Sequence, residues 1–583
     1  MWDDSRVAKR GGKVHVAVTR RHYKGTEYTT TLLRRSYRED GKVRNETVGN
    51  LSHLEDWMID GLRAMLAGRR LVDLDEDFEI VRSLPHGHVA AVLGVLRDLD
   101  LERLISRERC RERDLVVAMV CQRLIAPGSK LSVTRLVGQS TLAQELELGE
   151  VKEAELLSAM DWLLERQERI EKTLARRHLT QDGYVLYDLS SSYLEGRHCE
   201  LGALGYSRDG KRGKLQITYG LCCSPEGRPV SIEVHPGNTA DPASLGSAVT
   251  RVKDRFGIER VVFVGDRGMI TEARVRALKE QGVGFITSLR APQIQALTIA
   301  PSFQLSLFDE QGLCEISTPQ HPDERLIVCR NPAVAAERER KRDQLLAVTE
   351  ADLEQVKRMV EGDRGRLHGA SAGTIGERAG RVINKRKMAK HFTVQIADGT
   401  FSFARNQAQI DDEALLDGIY VIRTSEPATR LGPAAVVRAY KQLKVNERAF
   451  KQMKAPELQI RPVHHRLEDR VRAHVFLCML AYHVQYELAQ RLAPMLFTDD
   501  TPLAPADPIA PAQRSPGARA KAGSARTPDG LPAHSLPDLL SELGTLCRNT
   551  LRIGDSQHTF TRHSTPTQLQ ANALELAGVN PNK

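Results

Sequence analysis

The chain has 583 residues, 41% apolar and 27% charged, with a formal net charge of +9 and a pI near 9.0. It is too long for one ordinary hydrophobic core and has the polarity of a soluble globular protein, so several domains are expected. The basic balance leans modestly towards a polyanionic partner. Nine cysteines are scattered with no CxxC pair or zinc-like spacing, which argues against a metal-cysteine site and for reduced thiols in a cytoplasm. The opening MWDDSRVAKRGG has no apolar run of the kind a secretory signal needs. The longest apolar run, Val475 to Val484, contains His483 and is too short for a bilayer, so no membrane partner is expected.

Residues 1–80 read as a basic, β-rich region. Val14, Val16 and Val18 alternate; Tyr28 to Leu33 and Ser36 to Arg38 follow, with turns at Lys24-Gly25 and Asp40-Gly41. Arg20, Arg21, Lys24, Arg34, Arg35 and Arg38 fit contacts to a DNA backbone or a solvated strand face equally well. Residues 81–180 turn helical, with Val89, Val92, Leu93 and Leu96 and then Leu115, Met119 and Leu124 at helix spacing. A helical bundle fits this region, and a helix-turn-helix for DNA-end binding is open within it.

From 181 to 289 the pattern changes again. Tyr184 to Leu189, Lys214 to Cys222 and Pro229 to His235 read as three strands in a meander. Helices over 241–256 and 271–281 then alternate with strands at Arg260–Gly265 and Gly284–Leu289. That order is the one an RNase H-like core uses, a mixed α/β sheet flanked by helices. Residues 290–417 break the alternation and read as an inserted subdomain, with a hairpin across Asp398-Gly399. The core resumes over 418–495, with a strand at Tyr420–Arg423, a helix from Tyr440 to Lys454 and an apolar helix from about Leu467 to Ala489. Residues 496–535, rich in Pro, Ala and Gly, read as a disordered linker, and 536–583 as a helical tail.

Tyr440 to Lys454, YKQLKVNERAFKQMK, has no Gly or Pro inside. On a continuous helix the seven-residue spacing of Tyr440, Glu447 and Lys454 makes one polar stripe, with Lys444 and Lys451 beside it. A carboxylate among cations on a rigid element suits a metal ion facing a phosphate backbone, though ion pairs on a solvated face give the same pattern. Two more acids stand at informative places, Asp188 near the end of a first apolar strand and Asp266 at the end of a later one. In an RNase H-like sheet such positions and the following helix converge, and three carboxylates can hold two Mg²⁺ ions. Asp182, Glu195, Glu233, Asp241 and Asp417 are the rival acids. Of these, Glu233 alone is predicted on the strand beside Asp188. His464-His465 and His86/His88 fit surface positions better than a metal site. Lys211, Arg212 and Lys214 fall at a hairpin tip near the predicted site.

Taken together, YDLSSSYLEG, GYSRDGKRGKLQITYGL, EVHPGNTADPASL, VVFVGDRGM, VNERAFKQMK and IRPVHHRLEDRVRAHVFLCMLAY resemble the DDE transposases of bacterial insertion sequences. The likeness is to the IS-four family, which has a Tyr-Arg-Glu-Lys signature, and within it to the branch spelled out as IS-sixteen-thirty-four. It covers about residues 15–495. The resemblance implies Asp188, Asp266 and Glu447 as catalytic, metal-holding carboxylates. It also implies Mg²⁺, two ions with Mn²⁺ as a substitute, and double-stranded DNA, both transposon ends and target, as the partner. A homodimer on paired ends is implied too. Tyr440 and Lys454 fall on the signature and would contact DNA; Lys444 and Lys451 beside them are further candidates, and Lys211, Arg212 and Lys214 fit DNA contact and a solvated turn equally well. Leu443 stands where the signature has Arg. A transposase-derived DNA-binding protein without chemistry, and a nuclease of the same fold that cuts without joining, are the alternatives.

Overall fold

The computed structural model describes residues 12–69, 78–196, 198–298, 312–363, 365–456, 458–499, 514–553 and 558–581. The chain divides into two compact units, Met1–Leu84 with Cys547–Ser564, and Pro85–Leu546 with Thr565–Lys583.

In the first unit Lys13–Tyr23, Thr26–Glu39 and Lys42–Asn50 form an antiparallel sheet in sequence order. Lys24-Gly25 and Asp40-Gly41 both turn with positive φ at the two residues, the conformation a two-residue hairpin loop demands. The two strands expected between 28 and 38 are therefore one. A second sheet pairs Thr559–His563 with Cys547–Ile553 and places Phe78–Pro85 beside it. Phe78 and Phe560 meet edge to face across it at 6.2 Å. The C-terminal stretch is thus not a helical tail. Only Leu536–Gly544 and Gln568–Leu576 are helical, and the hairpin between them completes a sheet begun some 470 residues earlier.

The second unit is built on an eight-stranded sheet. Its order is Leu313–Ile316, Arg325–Arg330, Ile419–Thr424, Gly284–Ser288, Val262–Val264, Tyr184–Tyr193, Gln216–Cys223, Pro229–Pro236. The three strands from Tyr184 to Pro236 are an antiparallel meander; Val262–Val264 and Gly284–Ser288 then run parallel to Tyr184–Tyr193. This is the RNase H-like core. Gln216–Cys223 is buried along its whole length and Tyr184–Tyr193 nearly so, which is why both read as apolar runs without strict alternation.

The helices between Gly87 and His178 are not a separate domain. Leu96, Met119, Met160 and Leu174 share one apolar core with the sheet and with Phe476 and Leu480 of the Glu468–Arg491 helix. That last helix packs on Pro229–Pro236 and on the helices Gly87–Asp98, Arg111–Ile125 and Glu153–Leu164.

The segment 290–417 also divides. Leu313–Ile316 and Arg325–Arg330 extend the core sheet, and the part with its own core (Leu353, Val356, Ile375, Phe392, Phe401) begins at the long helix Pro332–Glu361. The Phe392–Ala397 and Thr400–Arg405 hairpin forms there as expected, with Gly399 at φ 67°.

Of the stretch expected as a linker, 500–513 lies outside the described residues. From 514 on it is ordered. Pro516–Ser524 is a helix capped by Ser515, and the Lys521 ammonium donates to the carbonyls of Ala493 and Thr498 at 3.0 Å each.

The helix expected from Tyr440 to Lys454 is two helices, Pro433–Lys441 and Leu443–Lys454, jointed at Gln442. The first packs on Gly284–Ser288 and Ile419–Thr424, the second on Tyr184–Tyr193 and on Glu468–Arg491. Gln442 itself keeps helical φ/ψ of −63° and −16°. Phe450 anchors the second helix, its ring 5.7 Å from that of the fully buried Tyr219. Phe450→Ala is expected to cost about 3–5 kcal/mol of stability, read as a lower urea midpoint at unchanged slope. An unmoved midpoint would show that this contact does not hold the helix.

Candidate active site

Leu186 pairs in parallel with Val264. Asp188 lies two residues beyond Leu186 on its strand and Asp266 two residues beyond Val264, where that strand has ended, and both line one cavity. Past Val264 the chain leaves the sheet, and the Asp266 Oδ1 accepts from the backbone N–H of Gly268 (3.0 Å) and Met269 (2.8 Å), closing a tight turn. Asp188 keeps one oxygen on the N–H of Leu189 at 2.8 Å.

The third acid arrives from the Leu443–Lys454 helix. Asn446, fully buried, donates through Nδ2 to the Leu221 carbonyl at 3.3 Å and sets the helix against the strand next to Asp188. Glu447 follows it, exposed, towards the two aspartates. Asp188, Asp266 and Glu447 line one cavity of about 420 Å³ together with Tyr440, Lys441, Leu443, Lys444, Tyr420, Asn331 and Val334.

The carboxylates feel one another. Burial, with the charges of Asp266 and Glu447 adding to it, pushes the Asp188 carboxyl up from 3.8 to about 7, against the Leu189 N–H and the Arg208 guanidinium. The donor set fits hard divalent cations: oxygen ligands only, with free carboxylate oxygens facing an open cavity. Among the described residues no three His, Cys, Asp or Glu side chains form a closed ion cage. The three acids line the wall of one cavity.

The other expected site residues separate. Lys444 is exposed on the cavity rim, and Lys451 is exposed further along the helix. Lys211 and Arg212 are exposed at the Gly205–Lys214 turn. Tyr440, by contrast, is half-buried, its hydroxyl 2.8 Å from the Ser288 Oγ, and burial raises its pKa so the phenol stays neutral. Lys214 pairs with both oxygens of Glu195 at 3.1 Å. The Lys454 ammonium is drawn inward, 2.8 Å from the Asp209 Oδ1, which also receives Arg461 at 2.6 Å. Leu443 presents an apolar surface to the cavity, as its sequence departure implied.

The rival acids have other work. Glu233 takes the Ser247 hydroxyl at 2.5 Å and Arg251 at 2.8 Å, in a buried network with Glu171. Asp182 sits at φ 62° in a turn with Arg260, Glu195 holds Lys214, and Asp417 pairs with Arg342 at 2.6 Å. Asp241 opens its helix at the first helical position, one residue later than a cap. The His86 Nδ1 is 2.8 Å from the Thr141 hydroxyl, and His465 stacks on His474.

Sequence reading missed Asp209, Asn446, Asn331 and Arg208. The cations of Asp209, Lys454 and Arg461, lie about 250 residues further along the chain. Asn331 and Val334 belong to the start of the long helix Pro332–Glu361, inside the segment read as an insertion.

A model of the Transposase DDE domain family matches residues 194–484, beginning just past Asp188. The N-terminal domain model of the IS1634 family transposases matches residues 16–73. No curated protein matches the chain. Among solved structures, a piggyBac transposase synaptic complex with hairpin DNA is similar at 9% identity and a TM-score of 0.32, covering 78% of this chain and 76% of that one.

The Asp188 shift has a measurable sign. The folded chain retains a proton that the unfolded chain has released between about pH 4 and pH 7, so metal-free stability falls as pH rises through that window and stays low above it. In chelator at pH 8, Asp188→Asn is expected to be more stable than the parent by on the order of 2 kcal/mol. The gap should close below about pH 4. A gap of the opposite sign at pH 8 would rule out the crowded-carboxylate account.

Proposed function

This chain belongs to the DDE transposases, in the IS1634 family, enzymes of metal-dependent DNA cleavage and strand transfer, and from that premise we propose that Asp188, Asp266 and Glu447 are its catalytic carboxylates. The observation that carries the assignment is that these three acids, far apart in the chain, line one cavity while the rivals Asp182, Glu195, Glu233 and Asp417 are paired elsewhere. Asp188 and Asp266 would share one Mg²⁺, with Glu447 completing the set for a second, and Mn²⁺ would substitute. When bound, such a pair activates the attacking oxygen and stabilises the leaving 3′ oxygen.

The residues of the chain set the geometry. Asp266 is fixed by its turn, Asp188 by the central strand and Glu447 by the helix that Asn446 and Phe450 hold down. In the first step a water oxygen bonds to phosphorus at the transposon end and the P–O3′ bond breaks, leaving a 3′-OH. In the second, that hydroxyl attacks a target phosphodiester and a target 3′ oxygen leaves. Both steps use the same carboxylates, so no covalent enzyme intermediate and no nucleotide is required. Lys444, Lys451, Lys211 and Arg212 are the exposed cations for the phosphate backbone. Lys214 and Lys454 already hold carboxylates, and Tyr440 holds Ser288, so their contacts to DNA would have to share those partners. Joining two ends calls for two active sites, hence a homodimer on paired ends. All nine cysteines are free, which fits the reducing cytoplasm. Among the described residues no helix is long and apolar enough to cross a membrane.

Asp188→Ala, Asp266→Ala and Glu447→Ala are each expected to lower Mg²⁺-dependent end cleavage by roughly three orders of magnitude while end binding persists in a mobility-shift assay. Parent-like cleavage by any one of them would remove that residue from the assignment. Pre-cut ends offered with target DNA separate a transposase from a nuclease that cuts without joining.

A further inference from the structure

Tyr206 is the most exposed of the large apolar and aromatic side chains among the described residues, at 81%, and Leu204 beside it stands at 64%. Both lie in the loop between the first two strands of the core sheet. A lone exposed aromatic ring is usually unremarked surface. What sets this one apart is how firmly its backbone is held. The Tyr206 carbonyl accepts from Gln216 Nε2 at 3.1 Å, the Arg208 N–H donates to Ser191 Oγ at 3.0 Å, and the Lys211 N–H donates to Ser207 Oγ at 3.2 Å. The Asp209 carboxylate, with a side chain only 1% exposed, receives Lys454, Arg461 and the Tyr193 N–H.

These anchors have addresses. Ser191 and Tyr193 are on the strand of Asp188, the nearer about 10 Å along it. Lys454 ends the helix of Glu447. The loop is clamped between the two elements that carry two of the three candidate carboxylates, and the ring is held outward at their side. The local charge is also sorted. Asp209 is neutralised by its own two cations and Lys214 by Glu195. Lys211 and Arg212 are left exposed on the turn, and the Arg208 guanidinium lies 5.8 Å from the Tyr206 ring centroid. A rigid aromatic face flanked by cations is the chemistry that takes a nucleic-acid base and its neighbouring phosphates. In an intact duplex both faces of each base are already stacked. A tyrosine face can be used only by a base with a free side, such as one beside a break or an opened pair.

We propose that the Leu204–Lys214 loop grips DNA at the cut, with Tyr206 stacking on an unpaired base and Lys211 and Arg212 on the flanking phosphates. This rests on the transposase reading of the cavity.

The full chain, in Ca²⁺ to prevent cutting, is titrated with two duplexes that differ only in whether a 2-aminopurine at a nick is unpaired or paired. The parent chain should prefer the unpaired duplex by roughly ten-fold and change the probe's fluorescence on binding. Tyr206→Ala should lose both the preference and the fluorescence change while binding the paired duplex as the parent does, and Tyr206→Phe should keep both. A parent without preference, or a Tyr206→Ala chain that retains it, overturns the proposal. So does Tyr206→Phe failing as fully as Tyr206→Ala, since the hydroxyl and not the ring would then be the contact. A parent chain that binds neither duplex overturns the transposase reading itself, and is told apart from the other failures by that loss of all binding.

Discussion

The parallel pairing of Tyr184–Tyr193 with Val262–Val264 is the constraint on which the rest of the structure depends. It is only three residue pairs long, yet it brings two aspartates from points 78 residues apart to one cavity. A slip of one residue would turn one of them to the opposite face of the sheet. The flanking architecture defends that register. Phe263 and Tyr187 are buried and meet edge to face at 6.5 Å, and Gly284–Ser288 pairs with the far side of Val262–Val264. The Asp266 turn follows Gly265, whose N–H still donates to the Ile286 carbonyl and where a Cβ would stand 3.1 Å from Ile270.

Holding like charges together costs free energy, and the protein meets that cost differently at different carboxylates. Glu233 and Asp209 are satisfied within the chain by Arg251 and by Lys454 with Arg461. They are structural, and truncating one would strand buried cations. Among the described residues Asp188 has no such partner at salt-bridge distance. Burial first, and then the charges of Asp266 and Glu447, raise its pKa. This difference in partners separates the three candidate acids from their rivals more sharply than position on a strand or helix does.

Much of this was legible in the residues. The alternation from Tyr184 to Leu289 predicted the core because each strand there is an apolar run bounded by turn residues, a local signal. Asp188 and Asp266 stood out because each lies near the end of an apolar run, and Glu447 because it falls on a polar spacing within a helix-forming stretch. What was not legible depended on distant partners. The hairpin Cys547–His563 belongs with the strand at Phe78–Pro85, and no local property of either announces the other. Leu313–Ile316 and Arg325–Arg330 are ordinary short strands whose membership of the core sheet is decided by Ile419–Thr424, about 90 residues later. The Pro- and Ala-rich stretch after 514 looked disordered by composition, but Lys521 and Ser515 tie it to Ala493, Thr498 and Asp499. Lys454 read as a surface cation because the buried acid that draws it inward is 245 residues away.

The seven-residue spacing of Tyr440, Glu447 and Lys454 invited a reading as one stripe on one helix, and the joint at Gln442 shows why that picture is incomplete. The three residues share a segment whose two ends are pinned. Tyr440 fixes the upstream end to Ser288, on the strand next to the one that Asp266 follows. Lys454 fixes the downstream end to Asp209, in the loop tied to the strand of Asp188. Glu447 lies midway between these pins, exposed and without a partner of its own among the described residues. Two hydrogen-bonding groups seven residues to either side thus tie one carboxylate to the strand system of both aspartates. In the protein alone, the outer two residues of the spacing position the middle one.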